Sequence, residues 1–251
     1  MNVENIDKIK NKNIDIKEAR NKDTVLWPSF DDVIGAPGNR RLLAGNMQAG
    51  WFGEVPSSDF ITGDALARMI GITAGNSQYS DTEWLKFAYM GKVEFIAKKI
   101  IRYSINWSSI NSAGCVFGKE ITIKGKTYKV RLIKGKTEGK QNDSSAYRGT
   151  INQGSEWNKL MLPIHRNAPN SWACSNNVKS PTENWNVGYT DQDLLTLNSS
   201  DNGFYSWCQE YGESTSYRLF RGNGGVSCAG SGDPTFIFDY LGWRPCLELI
   251  G

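Results

Sequence analysis

A chain of 251 residues, 39% of them hydrophobic, can bury a substantial core as one large domain or two small ones. Its 29 Lys and Arg against 26 Asp and Glu leave a formal charge of +3, and no basic cluster announces a nucleic-acid face. No apolar run approaches the ~20 residues that cross a bilayer and Met1 to Lys8 holds no apolar signal core, so neither membrane insertion nor secretion is expected.

Residues 1–25 mix Lys and Arg with Asp and Glu. Ile6 and Ile9 stand at helical spacing, but Asn2, Asn5, Asn11 and Asn13 weaken a helix, and a flexible arm ordered by a partner is expected. From Leu26-Trp27-Pro28 the character changes, and residues 26–115 read as a small β-rich domain or as the start of a larger fold. Within them Thr62 is placed to N-cap a short helix with Leu66, Met69 and Ile70 on one face and Gly71 as its stop. Trp84 to Tyr89 and Val93 to Ala97 flank Gly91 as a hairpin, and Tyr103 to Ala113 carries a short helix with Trp107 and Ile110.

Residues 116–251 form the second unit. Ile121-Thr122-Ile123 and Tyr128 to Leu132 alternate apolar and polar residues around Lys124-Gly125-Lys126, which predicts a second hairpin. Residues 134–153 are polar and Gly-rich and are expected to form an exposed loop. Trp157, Leu160, Met161 and Ile164 follow i, i+3, i+4, i+7 spacing, a helix with one stripe on the core that Pro163 closes. Thr190-Asp191-Gln192-Asp193 has the shape of a capping box ahead of Leu194 and Leu195. Strands are predicted at Phe204 to Gln209, Tyr217 to Arg221 and Trp243 to Ile250.

The residues give little support to catalysis. Five cysteines (115, 174, 208, 228 and 246) are widely spaced in no metal-ligand pattern and read as reduced thiols, with one disulfide left open. His165 is the single histidine, without a nucleophile motif beside it, and reads as a surface or capping residue. Asp191 with Asp193, and Glu210 with Glu213, are paired acids in turn-like settings, best explained by capping and solvation. No metal or cofactor is expected. Binding is better served: Trp172, Trp185, Tyr189, Tyr205 and Tyr211 lie among polar residues such as Asn184 and Asn186. Aromatic faces stack on sugar rings and amides bond hydroxyls; the competing reading makes the same rings loop anchors. Trp172, Trp185, Tyr189 and Tyr211 are the candidate ligand contacts.

One series of motifs carries a resemblance. Gly154 to Met161 with Trp157, then Trp207 to Glu210, then Arg218 to Gly222 with Arg221, then Gly242-Trp243-Arg244-Pro245, come in the order found in C-type-lectin-like domains of the sulfatase-modifying (formylglycine-generating) branch. More narrowly, the chain resembles the GWRP-ended domains of bacteriophage virion proteins, and Phe52 to Val55, Thr62 to Asp64 and Trp84 to Phe87 are similar to a segment that accompanies them. The resemblance covers about residues 50–250. It implies an α+β, β-rich lectin-like domain with long irregular loops, preceded by a small β-hairpin-rich domain. It also implies a non-enzymatic virion protein of tail, fibre or capsid decoration, made in the host cytoplasm. Its partners would be other virion proteins, through the N-terminal arm, and a host-surface glycan; a cytosolic binding module of the same fold is the alternative. The formylglycine-generating enzymes hold copper on two cysteines after the Arg-Gly turn. Here Cys228 stands near that place without a neighbour, which argues against an oxidase and makes Cys228 a small packed residue. Arg244 is expected to be a buried cation held by carbonyls or stacked on a tryptophan.

Overall fold

Alternation along one central strand shows how the layers are arranged. In β4 (Trp84–Tyr89) Trp84 and Ala88 belong to one apolar cluster and Leu85, Phe87 and Tyr89 to another, and all six residues of the strand are buried. A strand buried on both sides has a covered sheet on each face. The computed structural model describes residues 35–136, 155–166, 184–195, 205–212, 214–222 and 225–251, so the N-terminal arm and Trp172 lie outside the described residues. Among them are thirteen strands and four short helices, a β-rich α+β chain, and no helix is long and apolar enough to cross a membrane.

The first sheet has the order β1-β2-β4-β5-β13-β8-β7, built from Ala44–Gly45, Ala49–Val55, Trp84–Tyr89, Lys92–Ala97, Pro245–Leu249, Lys126–Leu132 and Lys119–Ile123. The second runs β11-β10-β9-β12-β6-β3, from Ala229–Gly232, Arg218–Arg221, Tyr205–Tyr211, Leu241–Trp243, Arg102–Tyr103 and Asn76–Ser77. Strands from both sides of residue 115 thus share both sheets. Both predicted hairpins are present: Met90 and Gly91 join β4 to β5, and Lys124 and Gly125 join β7 to β8, each pair at positive φ as a two-residue turn of this hand requires.

Helix α1 (Gly63–Ile70) is capped by Thr62, whose side chain accepts from Ala65 N, and stopped by left-handed Gly71. Leu66 and Ile70 pack inward with Ala67, but Met69 is exposed, one position outside the buried arc. In α2 (Trp107–Ser112) Trp107 and Ile110 are buried. Helix α3 (Glu156–Met161) lays Trp157, Leu160 and Met161 on the core, and Ile164 continues the stripe beyond it. Helix α4 (Asp191–Leu194) has the expected capping box between Thr190 and Asp193.

Two expectations fail. The closing segment is not one strand from Trp243 to Ile250. It breaks at Arg244, leaving β12 parallel to β9 in the second sheet and β13 antiparallel between β5 and β8 in the first. Pro245 lacks an N–H for a continuous ladder, and the Arg244 side chain occupies the junction. The loop read as exposed from residue 134 begins buried: Lys136 is 1% exposed, and Gly135 donates to the Glu210 carboxylate.

Candidate functional site

The residues that carry the resemblance meet in one interior knot. Arg244 donates to Ser206 Oγ (3.0 Å), to the carbonyls of Ala97 (3.3 Å) and Lys98 (2.7 Å), and to Leu194 O (2.5 Å). Arg221 donates to the carbonyls of Cys228 and Gly135 (both 3.0 Å) and to Asn158 Oδ1 (2.7 Å). Both lie over the Trp157 ring, whose Nε1 donates to Val226 O at 2.7 Å. Trp207 and Trp107 tie β9 of the second sheet to the α2 segment by reciprocal bonds, Trp207 to Ile105 O and Trp107 to Cys208 O. Gly222, at φ 107°, turns the chain after β10. Gly242 lets β12 approach β6: a Cβ there would sit 2.3 Å from Ile100 Cγ2. Burial pulls the guanidinium pKa of Arg221 down to about 10 and that of Arg244 to about 9, which leaves both charged at neutral pH. Arg244 is therefore both carbonyl-bound and stacked, as expected.

A second buried cluster escaped the sequence reading. The period of two puts Glu94 of β5, Arg131 of β8 and Cys246 and Glu248 of β13 on the same face of the first sheet, and α3 lowers Glu156 onto it. Arg131 binds Glu156 with two bonds (2.7 and 2.9 Å), Glu94 at 2.6 Å and Glu248 at 3.2 Å, and Lys92 bonds Glu248 from outside. Burial first, and then the neighbouring Glu156 charge, push the Glu94 carboxyl well above its ordinary pKa, against the pull of Arg131. Burial opposes ionisation of Glu156 too, but Arg131 and the hydrogen bonds outweigh it and hold its pKa low. Donor atoms of Glu94, Glu156 and Cys246 lie within 4.8 Å of one another, but Arg131 already fills both carboxylates as their cation.

Several side chains read as surface groups are interior. His165 is 5% exposed, with Nε2 3.4 Å from Asp191 Oδ1. Asp191 also accepts from Val226 N, so it fastens a loop rather than meeting solvent alone. Glu210 lies in β9, 7% exposed; burial raises its pKa to about 7 although backbone N–H groups pull it down. Cys228 is disulfide-bonded rather than a packed thiol, while Cys115, Cys208 and Cys246 are free and buried.

The candidate ligand contacts separate. Trp185 is half-buried, its ring 6.4 Å from Phe87, and its backbone N–H donates to Pro163 O. Tyr189 is also half-buried, edge-on to Trp51 at 6.2 Å, under the Lys98 ammonium, and laced to Ile164 and Arg166 through its backbone. Tyr205 packs on Phe220 at 4.1 Å. These rings act as anchors in the described structure. Tyr211 differs: it is 38% exposed and stacks on Arg218, which lies between it and Trp107.

The exposed aromatic surface lies instead around α2. Phe236, Ile237 and Phe238 are 48%, 63% and 38% exposed on the loop between β11 and β12. Phe238 stacks on Tyr240 with centroids 4.9 Å apart, and Phe236 meets Phe238 edge-on. The loop is fixed at its base: Asp233 accepts from Thr235 N and Oγ1, Ser108 N donates to Pro234 O, and Asn106 Nδ2 to Thr235 O. Asn106 and Ser108 also line an open cleft of about 390 Å³ with Thr73, Ala74, Ser109 and Ser112. The signal in the sequence is Asp233-Pro234-Thr235-Phe236-Ile237-Phe238-Asp239, an apolar triplet bracketed by turn residues and too short to be a core strand.

No family model, curated protein or solved structure matches the chain.

Proposed function

We propose that the chain is a non-enzymatic structural protein of a bacteriophage virion, in tail, fibre or capsid decoration, with a C-type-lectin-like fold whose loops add adhesion to a host-surface glycan. The observation that carries the reading is the interior knot: Trp157, Trp207, Arg221, Trp243 and Arg244, on which the resemblance rests, are all fully buried. Two cations bound to five backbone carbonyls from four separate segments fasten irregular chain to a sheet without a ladder of its own. That is the construction a loop-presenting binding domain needs. The reading as non-enzymatic is supported by where the titratable clusters lie, since Glu94, Arg131 and Glu156 are at most 4% exposed. The N-terminal arm, outside the described residues, would dock on a neighbouring virion protein.

Quantitative mass spectrometry of particles purified from the phage that encodes the chain tests this. Hundreds of copies per particle would mean capsid decoration, and a few to dozens would place the chain in tail or fibre. Absence from particles overturns the virion reading in favour of a cytosolic binding module.

A further inference from the structure

We infer that the cleft beside α2 and the Phe236–Phe238 loop together form a binding site for a neutral carbohydrate, which takes a sugar edge into the cleft and stacks a sugar face on the loop. The inference rests on the reading of the chain as a recognition protein and names the site and ligand class, in place of the half-buried Trp185 and Tyr189.

Two independent observations meet here. The first is the cleft, whose volume of about 390 Å³ falls within the range of small-molecule sites. Every polar side chain on its wall is uncharged: Thr73, Asn106, Ser108, Ser109 and Ser112. Asn106 is spent on Ser109 N and Thr235 O, and Ser112 Oγ donates to Ser108 O. Among the described residues no protein partner takes the hydroxyls of Thr73, Ser108 and Ser109, and these three groups can both donate and accept. Hydroxyls of that kind match sugar hydroxyls. They offer no charge to a phosphate or carboxylate. The nearby Arg102 is engaged by the carbonyls of Ala74 and Gly75, so its donors point into the 73–75 segment.

The second observation is the loop. Three consecutive exposed apolar residues are costly to leave in water, and here they are held out by four hydrogen bonds at the loop base. Two of those bonds run to Asn106 and Ser108, residues of the cleft wall, so Phe236 follows directly on the segment tied to the cleft. An aromatic platform fixed at the rim of a hydroxyl-lined cleft is the pairing that a pyranose presents in reverse, an apolar ring face bounded by hydroxyls.

The test uses the full chain and saturation-transfer NMR with oligosaccharides of glucose, galactose, mannose and N-acetylglucosamine, followed by titration of any that bind. Ser108→Ala with Ser109→Ala changes only cleft-lining hydroxyls and should leave melting unchanged, while Phe238→Ala also removes the Tyr240 stack and is read together with its own melting curve. The expected result is saturation of at least one neutral oligosaccharide, with affinity reduced about tenfold by each variant. Binding untouched by both variants, binding confined to acidic sugars, or no binding to any of the four sets overturns the inference. So does loss of a cross-link to another virion protein on Phe238→Ala without sugar binding, which would make the loop a protein contact. Particle mass spectrometry is read separately, so failure of the sugar site and failure of the virion reading are distinguishable.

Discussion

Arg221 and Arg244 share one indole, with their guanidinium carbons 5.5 and 5.6 Å from the Trp157 ring centroid. No carboxylate is within salt-bridge distance of either among the described residues, so carbonyl dipoles and the ring face carry the compensation for two buried charges. A lysine cannot reproduce the fork that reaches Ala97, Lys98, Leu194 and Ser206 together. Arg244→Lys is therefore expected to cost roughly 3 kcal/mol by urea denaturation, through carbonyls left unsatisfied. A loss below 1 kcal/mol would show that solvent reaches the junction.

Trp157 and Trp243 of the knot should respond differently to the same change. Trp157 Nε1 donates to Val226 O at 2.7 Å, whereas Trp243 Nε1 is buried with no partner among the described residues. Trp157→Phe removes a made hydrogen bond and strands a carbonyl, while Trp243→Phe removes a donor that was already unsatisfied. Trp157→Phe is expected to destabilise more, by about 1–2 kcal/mol in paired denaturation curves.

The raised pKa of Glu94 contrasts with the lowered pKa of Glu156. Burial favours the uncharged form of Glu94, and Gln has its size and also carries a donor. Glu94→Gln is expected to stay within about 1 kcal/mol of the parent. Glu156→Gln removes the bidentate partner of Arg131 and should cost about 3–5 kcal/mol. Equal losses in the two variants would mean that both carboxyls are ionised.

Glycines in this chain act by different means, and Ala substitution separates them. Gly242→Ala places a Cβ 2.3 Å from Ile100 Cγ2 and 2.7 Å from Arg102 O, so β12 must leave β6 and the loss should exceed about 2 kcal/mol. Gly125 has φ 80° and open space around it, so Gly125→Ala should cost only the left-handed strain of about 1 kcal/mol. Thermal melts of the two variants check the order.

What the sequence made legible was local. Both hairpins, the Thr62 and Thr190 caps and the Trp157 stripe follow from spacing within ten residues, because a turn at positive φ or an i, i+4 face needs no distant partner. What stayed hidden was set by strands far apart in the chain. Glu94, Arg131 and Glu248 look like the wet face of ordinary amphipathic strands until β13 enters between β5 and β8 and α3 covers them. The break at Arg244 is of the same kind, since both halves of Trp243–Ile250 are apolar enough to be a single strand. At the candidate site, Tyr211 was found through its polar setting, but the exposed triplet at Phe236 was lost among the glycines that precede it.

Glu210 gives the fold a pH dependence of defined sign. Its folded pKa is raised to about 7 from 4.5, burial being the main cause, and the side chain accepts from Gly135 N inside the second sheet. The unfolded chain releases this proton near pH 4.5 and the folded chain only near 7, so between those values the native state holds the extra proton. Stability from this group is full below about pH 4.5 and falls as pH rises to about 7, by on the order of 3 kcal/mol. Glu156, Glu248 and Asp193 have lowered pKa values and act in the opposite sense, below the ordinary carboxylate range, while Glu94, also raised, acts in the same sense as Glu210 from about pH 4.5 upward. Glu210→Gln keeps an acceptor for Gly135 but cannot titrate. Its melting temperature should therefore fall less steeply between pH 5 and 7 than the parent's, Glu94 still supplying part of the slope. Parallel curves for parent and variant across that window would mean that Glu210 is ionised in the folded chain, with water or a cation reaching the strand at Gly135.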